Sequence, residues 1–76
     1  MIICILVEWY NHFEEGDNYS TTYELFENVE KAFDFSKSVK VRRIDLVKAK
    51  NTFYENGKLN YEDFSDTIED SIIGIN

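Results

Sequence analysis

The sequence predicts an α+β fold: a small β-sheet, made of an N-terminal hairpin plus a third strand, with one helix packed on a face. A C-terminal turn then leads to a short strand or helix. Three observations carry this expectation. Residues 2–9, IICILVEW, are apolar almost without a break; residues 21–27, TTYELFE, alternate; residues 28–38, NVEKAFDFSKS, place apolar side chains at helical spacing. With 76 residues the chain is read as a single domain, residues 1–76. A chain this short buries only about 60 % of its unfolded surface. Six Phe, five Tyr and one Trp help to fill its core, because aromatic side chains bury the most area each.

The opening run has the composition of a strand covered on both faces. In the alternating stretch, Tyr23 and Leu25 fall on one side and Thr22, Glu24 and Phe26 on the other, as in a half-buried strand. The two are expected to pair as an antiparallel hairpin around YNHFEEGDNYS, which is long for a hairpin loop. Asn28 suits the N-cap of the following helix. Val29, Ala32, Phe33 and Ser36 recur at i, i+3, i+4 and i+7 and should face inward, with Phe35 the misfit, free to cover a sheet edge. SVKVRRIDLVKAK reads two ways. Val39 and Val41 alternate with Lys40 and Arg42 as in a strand, whereas Ile44 and Val47 also suit a helix running on to Phe53. The β-branched content of residues 38–47 and the lack of a cap favour the strand.

YENGKLNYEDF, residues 54–64, could be a turn or half of a calcium loop. Asn56-Gly57 is a strong signal for a type I′ hairpin turn, flanked by two short strands. With Gly57 as the sixth residue of an EF-hand loop, Thr52 and Tyr54 would stand where oxygen ligands are needed at positions 1 and 3, and Asp63 at 12. The turn is the better reading, and no metal or other cofactor is expected. Beyond it, Tyr61, Phe64, Ile68, Ile72 and Ile75 recur at helical spacing, with Asn60 as a cap, so residues 61–73 are open between helix and strand.

Charge is segregated along the chain. The formal net charge of −7 divides into −7 over residues 1–36, +5 over 37–50 and −5 over 51–76. A basic middle between acidic flanks is most simply a strand neutralised by its neighbours. Net acidity argues against direct binding to nucleic acid, which needs clustered exposed Lys and Arg. The lone Cys4 precludes an intramolecular disulfide and fits a reducing cytoplasm. The apolar start is too short to span a membrane and lacks a basic leader, so the expectation is a soluble cytoplasmic protein.

Catalysis has little support, since the single His12 has no positioned nucleophile or phosphate loop beside it. The non-enzymatic candidate is EWYNHFEEGDNY, residues 8–19. There Trp9, Tyr10, Phe13 and Tyr19 alternate with Glu8, Glu14, Glu15 and Asp17, as anchors of a binding surface ringed by acids would. Trp9 and Phe13 equally suit completion of the core. The acidic C-terminal segment, Glu62, Asp63, Asp66, Glu69 and Asp70, is a second contact candidate; on a helix, Asp63, Asp66 and Asp70 would share a face. Both suit a partner protein with a basic surface. The alternative is a nucleotide or small ligand held by Lys40, Arg42 and Arg43 on the basic segment 40–50. Self-association into a homodimer through an open sheet edge is also consistent with the pattern.

The order ILVEWYNHFEEGDNYSTTYELFENVEKAFDFSKS resembles a type of small acidic protein common in bacteriophages and other mobile elements: an apolar strand, an acidic loop, a second strand and a short helix, here VEKAFDF. The tail FYENGKLNYEDFSDTI is similar to their C-terminal turns. Some such proteins, anti-CRISPR proteins among them, inhibit host defence by binding a host protein. The resemblance therefore implies a non-enzymatic inhibitor of a host-defence factor, and it assigns no residue roles.

Overall fold

A computed structural model describes residues 2–11 and 20–74. Its elements, in chain order, are β1 (Ile2–Tyr10), β2 (Thr21–Phe26), α1 (Val29–Ser36), β3 (Val41–Ala49), β4 (Thr52–Glu55), β5 (Lys58–Tyr61), α2 (Phe64–Thr67) and β6 (Ile68–Gly74). Four strands form an antiparallel sheet in the order β2-β1-β3-β6, and β4 and β5 form a separate two-stranded sheet.

β1 lies inside the larger sheet, paired with β2 on one side and β3 on the other, and is covered on both faces. Cys4 and Leu6 enter one core with Leu25, Val47, Ala49 and Leu59. Ile5 and Val7 enter the other with Ala32 and Ile44. Burial on both faces is why this run shows no polar alternation. Of residues 38–47, expected as strand, those from Val41 onward form β3, which runs on to Ala49, while residues 38–40 are the turn and link from α1.

The expected architecture of one helix on one small sheet is overturned. The described chain is mostly β, with two sheets and two short helices. The physical reason is that both faces of β1 must be covered. On one face α1 supplies Ala32 and Phe35. On the other, the β4–β5 hairpin brings Leu59 and Tyr61, and α2 brings Phe64. The inward face of α1 also differs from the helical-period expectation: Ala32 is sealed, Phe35 packs between Trp9 and Phe26, and Val29 and Phe33 are exposed. Asn28 does cap the helix, its Oδ1 accepting from Lys31 N at 3.0 Å.

The hairpin forms around Asn56 (φ +55°) and Gly57 (φ +74°), the two positive-φ positions of a type I′ turn. After Tyr61 the chain is neither one helix nor one strand. Asp63, not Asn60, caps the four-residue α2, accepting from Ser65 N at 2.9 Å and Ser65 Oγ at 2.7 Å. From Ile68 the chain becomes an edge strand on β3. Asp63, Asp66 and Asp70 therefore do not share a helix face.

Candidate functional site

The basic strand and the first strand meet at Glu8. In register, Glu8 stands opposite Arg43 and Trp9 opposite Val41, which leaves Arg42 as an extra residue on β3. A bulge of this kind re-aims the side chains beside it, and here it lets two successive arginines reach one carboxylate. Arg42 Nη1 donates to Glu8 Oε1 at 2.6 Å, and Arg43 Nε lies 3.0 Å from the same oxygen. The buried Nε is not aligned for a hydrogen bond despite that distance. Arg43 Nη1 also pairs with Asp45 Oδ2 at 2.9 Å.

Glu8 is 2 % exposed, and burial alone would push its carboxyl upward. The hydrogen bond from Arg42, with Thr21 and Tyr23 adding theirs, outweighs burial and holds it below the ordinary carboxylate range. Glu8 is thus an internal anion of the sheet, not a loop acid facing water. Two carboxylates and two guanidiniums balance within this network, so the charge of Arg42 and Arg43 is used inside the fold. Lys40 is exposed beside them, its ammonium 5.8 Å from the centroid of the Tyr10 ring.

Of the aromatic-acidic segment, Trp9 and Tyr10 belong to β1. Trp9 is half-buried and meets Phe35 edge to face, with centroids 4.8 Å apart. Tyr10 is half-buried under Lys40. Phe13, Glu14, Glu15, Asp17 and Tyr19 lie outside the described residues. The mouth of this loop is closed by Asn11 N donating to Ser20 O at 2.8 Å and by Thr22 Oγ1 donating to Asn11 Oδ1 at 2.8 Å.

The C-terminal acids are arranged differently. Glu62, Asp63, Asp66, Glu69 and Asp70 are all exposed, on one continuous segment from the end of β5 through α2 into β6. Among the described residues, no Lys or Arg lies within ion-pairing distance of any of them. Lys48 stands opposite Asp70 in register without closing a pair. Asp63 is held below the usual carboxylate range by the Ser65 hydroxyl and the Ser65 N–H, which fits its role as a cap.

A third feature was not visible in the sequence. The hairpin is tied to β2 and to the turn before α1 by Lys58 Nζ with Glu24 Oε2 (2.7 Å), by Tyr61 Oη donating to Tyr23 O (3.1 Å), and by Tyr54 Oη with Glu27. A cleft of about 350 Å³ lies between them, floored by Leu25, Phe26 and Leu59. These pairings span 27 to 38 residues along the chain, and no local pattern encodes them. Cys4 is wholly buried, and burial, reinforced by Glu27, pushes its thiol up to about 11, which leaves it inert as a nucleophile.

Among the described residues no three His, Cys, Asp or Glu side chains converge as a metal site requires. No described helix is long and apolar enough to cross a membrane. The chain matches no known family model, no curated protein and no solved structure.

Proposed function

We propose that the protein acts without chemistry of its own, by stoichiometric binding to a protein that presents a basic surface. The observation that carries this reading is the run of five exposed acids from Glu62 to Asp70, none neutralised by a described cation. It differs from the acids of the sheet. Glu8, Glu24 and Asp45 have their charge matched by Arg42, Lys58 and Arg43, whereas the C-terminal acids leave theirs directed at solvent. A concentrated negative field of this kind accelerates encounter with a basic partner and selects against acidic ones. The resemblance to small acidic mobile-element proteins supports the finer form of the proposal: the partner is a cytoplasmic host-defence factor, and binding inhibits it.

The test is affinity capture from a bacterial lysate at low and moderate salt, with the wild type and a Glu62→Lys/Asp66→Lys variant as baits. One partner in stoichiometric amount, released by salt and missed by the variant, is the expected result. Capture that is indifferent to both salt and charge reversal refutes the acidic-surface reading.

A further inference from the structure

The two outer strands of the larger sheet are not alike. β2 is guarded by the hairpin, through Tyr61 on the Tyr23 carbonyl and Lys58 on Glu24. β6 pairs with β3 on one side only. Along its other side, among the described residues, the Ile68 N–H is taken by Phe64 O as the C-cap of α2, and no hydrogen bond is made by the backbone or side chains of residues 69–74. It carries neither the lysine nor the proline that commonly protects an open edge. Glu69, Asp70, Ser71 and Ile72 are exposed along it.

An open edge is a template for another strand, and its charge decides which one. Pairing with β6 of a second copy would set Glu69 and Asp70 beside their own counterparts, in a chain of net charge −7. Like charges placed opposite each other on adjacent strands repel. Basic side chains in the same place are attracted. We propose that β6 is a docking strand whose occupant is a short, extended, basic segment of the partner protein, added to the sheet beyond β6. This rests on the protein-binding reading above and names its mode.

The two bulges of β6 set the character of the contact. Glu69 and Ile72 have no opposite residue on β3, so the strand is strongly twisted and its regular stretches are short. Backbone hydrogen bonds therefore fix register over only a few residues, and the carboxylates supply the attraction. Strand addition here is salt-sensitive for that reason.

The experiment uses the full chain and two synthetic probes: a short peptide of alternating arginine and threonine, and the same peptide N-methylated throughout, which lacks backbone donors. Binding is measured at low and moderate salt, with hydrogen exchange followed at residues 68–74. The expected result has four parts: the unmethylated peptide binds and slows exchange at β6, the methylated one does not, moderate salt weakens binding about tenfold, and Glu69→Lys/Asp70→Lys abolishes it. Equal binding of both peptides with unchanged exchange overturns strand addition and leaves the charge-driven reading standing. If neither peptide binds but sedimentation shows a dimer that slows the same amides, the occupant is a second copy and the proposal is overturned. No peptide binding and no slowed amides overturns it as well. The Glu62/Asp66 capture assay reports on the parent reading independently, because neither residue lies in β6.

Discussion

Glu8 and Arg42 are bonded across 34 residues of chain, Nη1 to Oε1 at 2.6 Å, because Arg42 is the one residue of β3 left over opposite Glu8 and Trp9. The bulge and the ion pair explain each other. In a regular ladder Arg42 and Arg43 would point to opposite faces, and a single guanidinium could not both satisfy Glu8 and hold Asp45. A carboxylate 2 % exposed needs more than one donor to remain charged. The extra residue supplies the guanidinium that donates to it, alongside Thr21 and Tyr23.

Replacing Glu8 with Gln therefore destabilises the fold. The buried amide keeps the shape but loses the charge, and Arg43 is left facing Asp45 alone. Both arginines are partly exposed and can rehydrate, so the cost is about 2 kcal/mol, below the range for a fully enclosed pair. Urea unfolding of Glu8→Gln measures it. Asp34→Asn, which breaks the exposed pair between Lys37 and Asp34, is the control and should leave the midpoint unchanged.

Acid should unfold the protein through the same group. Glu8 is depressed in the folded state, so the unfolded chain binds its proton first as pH falls. The stabilisation is fully present above the ordinary glutamate value of about 4.3 and is lost as pH drops through the lower folded value. Asp63, also depressed, acts in the same sense from the ordinary aspartate value downward. Thermal midpoints measured across this acid range should fall for the wild type and less steeply for Glu8→Gln. Parallel profiles would remove Glu8 as a source of the acid sensitivity.

The hairpin is held by its turn and by one buried leucine, and the two should separate energetically. Nothing lies within 4 Å of a Cβ built on Gly57, but its φ is +74°, so Gly57→Ala costs about 1 kcal/mol through backbone conformation alone. Leu59 is 7 % exposed in the core under β1, and Leu59→Ala costs about 2–4 kcal/mol by leaving a cavity. Denaturant titration of both variants tests the order; a Gly57→Ala cost equal to that of Leu59→Ala would contradict it.

What the sequence reveals here follows from how each strand is covered. β1 is legible because burial on both faces writes an unbroken apolar run, and the Asn56-Gly57 turn because few residue pairs accept its backbone. The basic third strand is legible from charge only in part: Glu8 on the neighbouring β1 pairs with Arg42 and Arg43, whereas Asp45 belongs to β3 itself and Lys48 closes no pair with Asp70 opposite it. β6 is misleading for a specific reason. Ile68, Ser71 and Gly74 stand opposite Ala49, Val47 and Asp45, so each bulge stretches the same-face spacing from two residues to three. That approaches the helical period of 3.6, but Ile72, four residues after the core-facing Ile68, is an unpaired and exposed bulge residue, so the apparent helix stripe is not one face of the strand. The second sheet is local, β4 on β5 around Asn56-Gly57, and the turn points to it; the ties between this hairpin and β2 depend on contacts distant in sequence and leave no periodic trace. The exposed acids of residues 62–70 could be named from composition; that they span a turn, a four-residue helix and an open edge could not.

The rotation of α1 offers the last test, because helical period and structure disagree on which phenylalanine faces inward. The period puts Phe33 on the buried face and leaves Phe35 outside it, whereas Phe35 lies 4.8 Å from Trp9 and 5.4 Å from Phe26, centroid to centroid. Phe33 is 38 % exposed. Phe35→Ala should therefore cost about 2 kcal/mol, the loss of a half-buried ring and its aromatic contacts. Phe33→Ala should cost well under about 1 kcal/mol. Trp9 is the only tryptophan, so its fluorescence reports the same contact: Phe35→Ala opens the indole to water and shifts emission to longer wavelength, and Phe33→Ala leaves it in place. The reverse pattern would turn the helix by about 160°, since Phe33 and Phe35 stand two residues or about 200° apart on an α-helix, and replace Phe35 with Phe33 against the sheet.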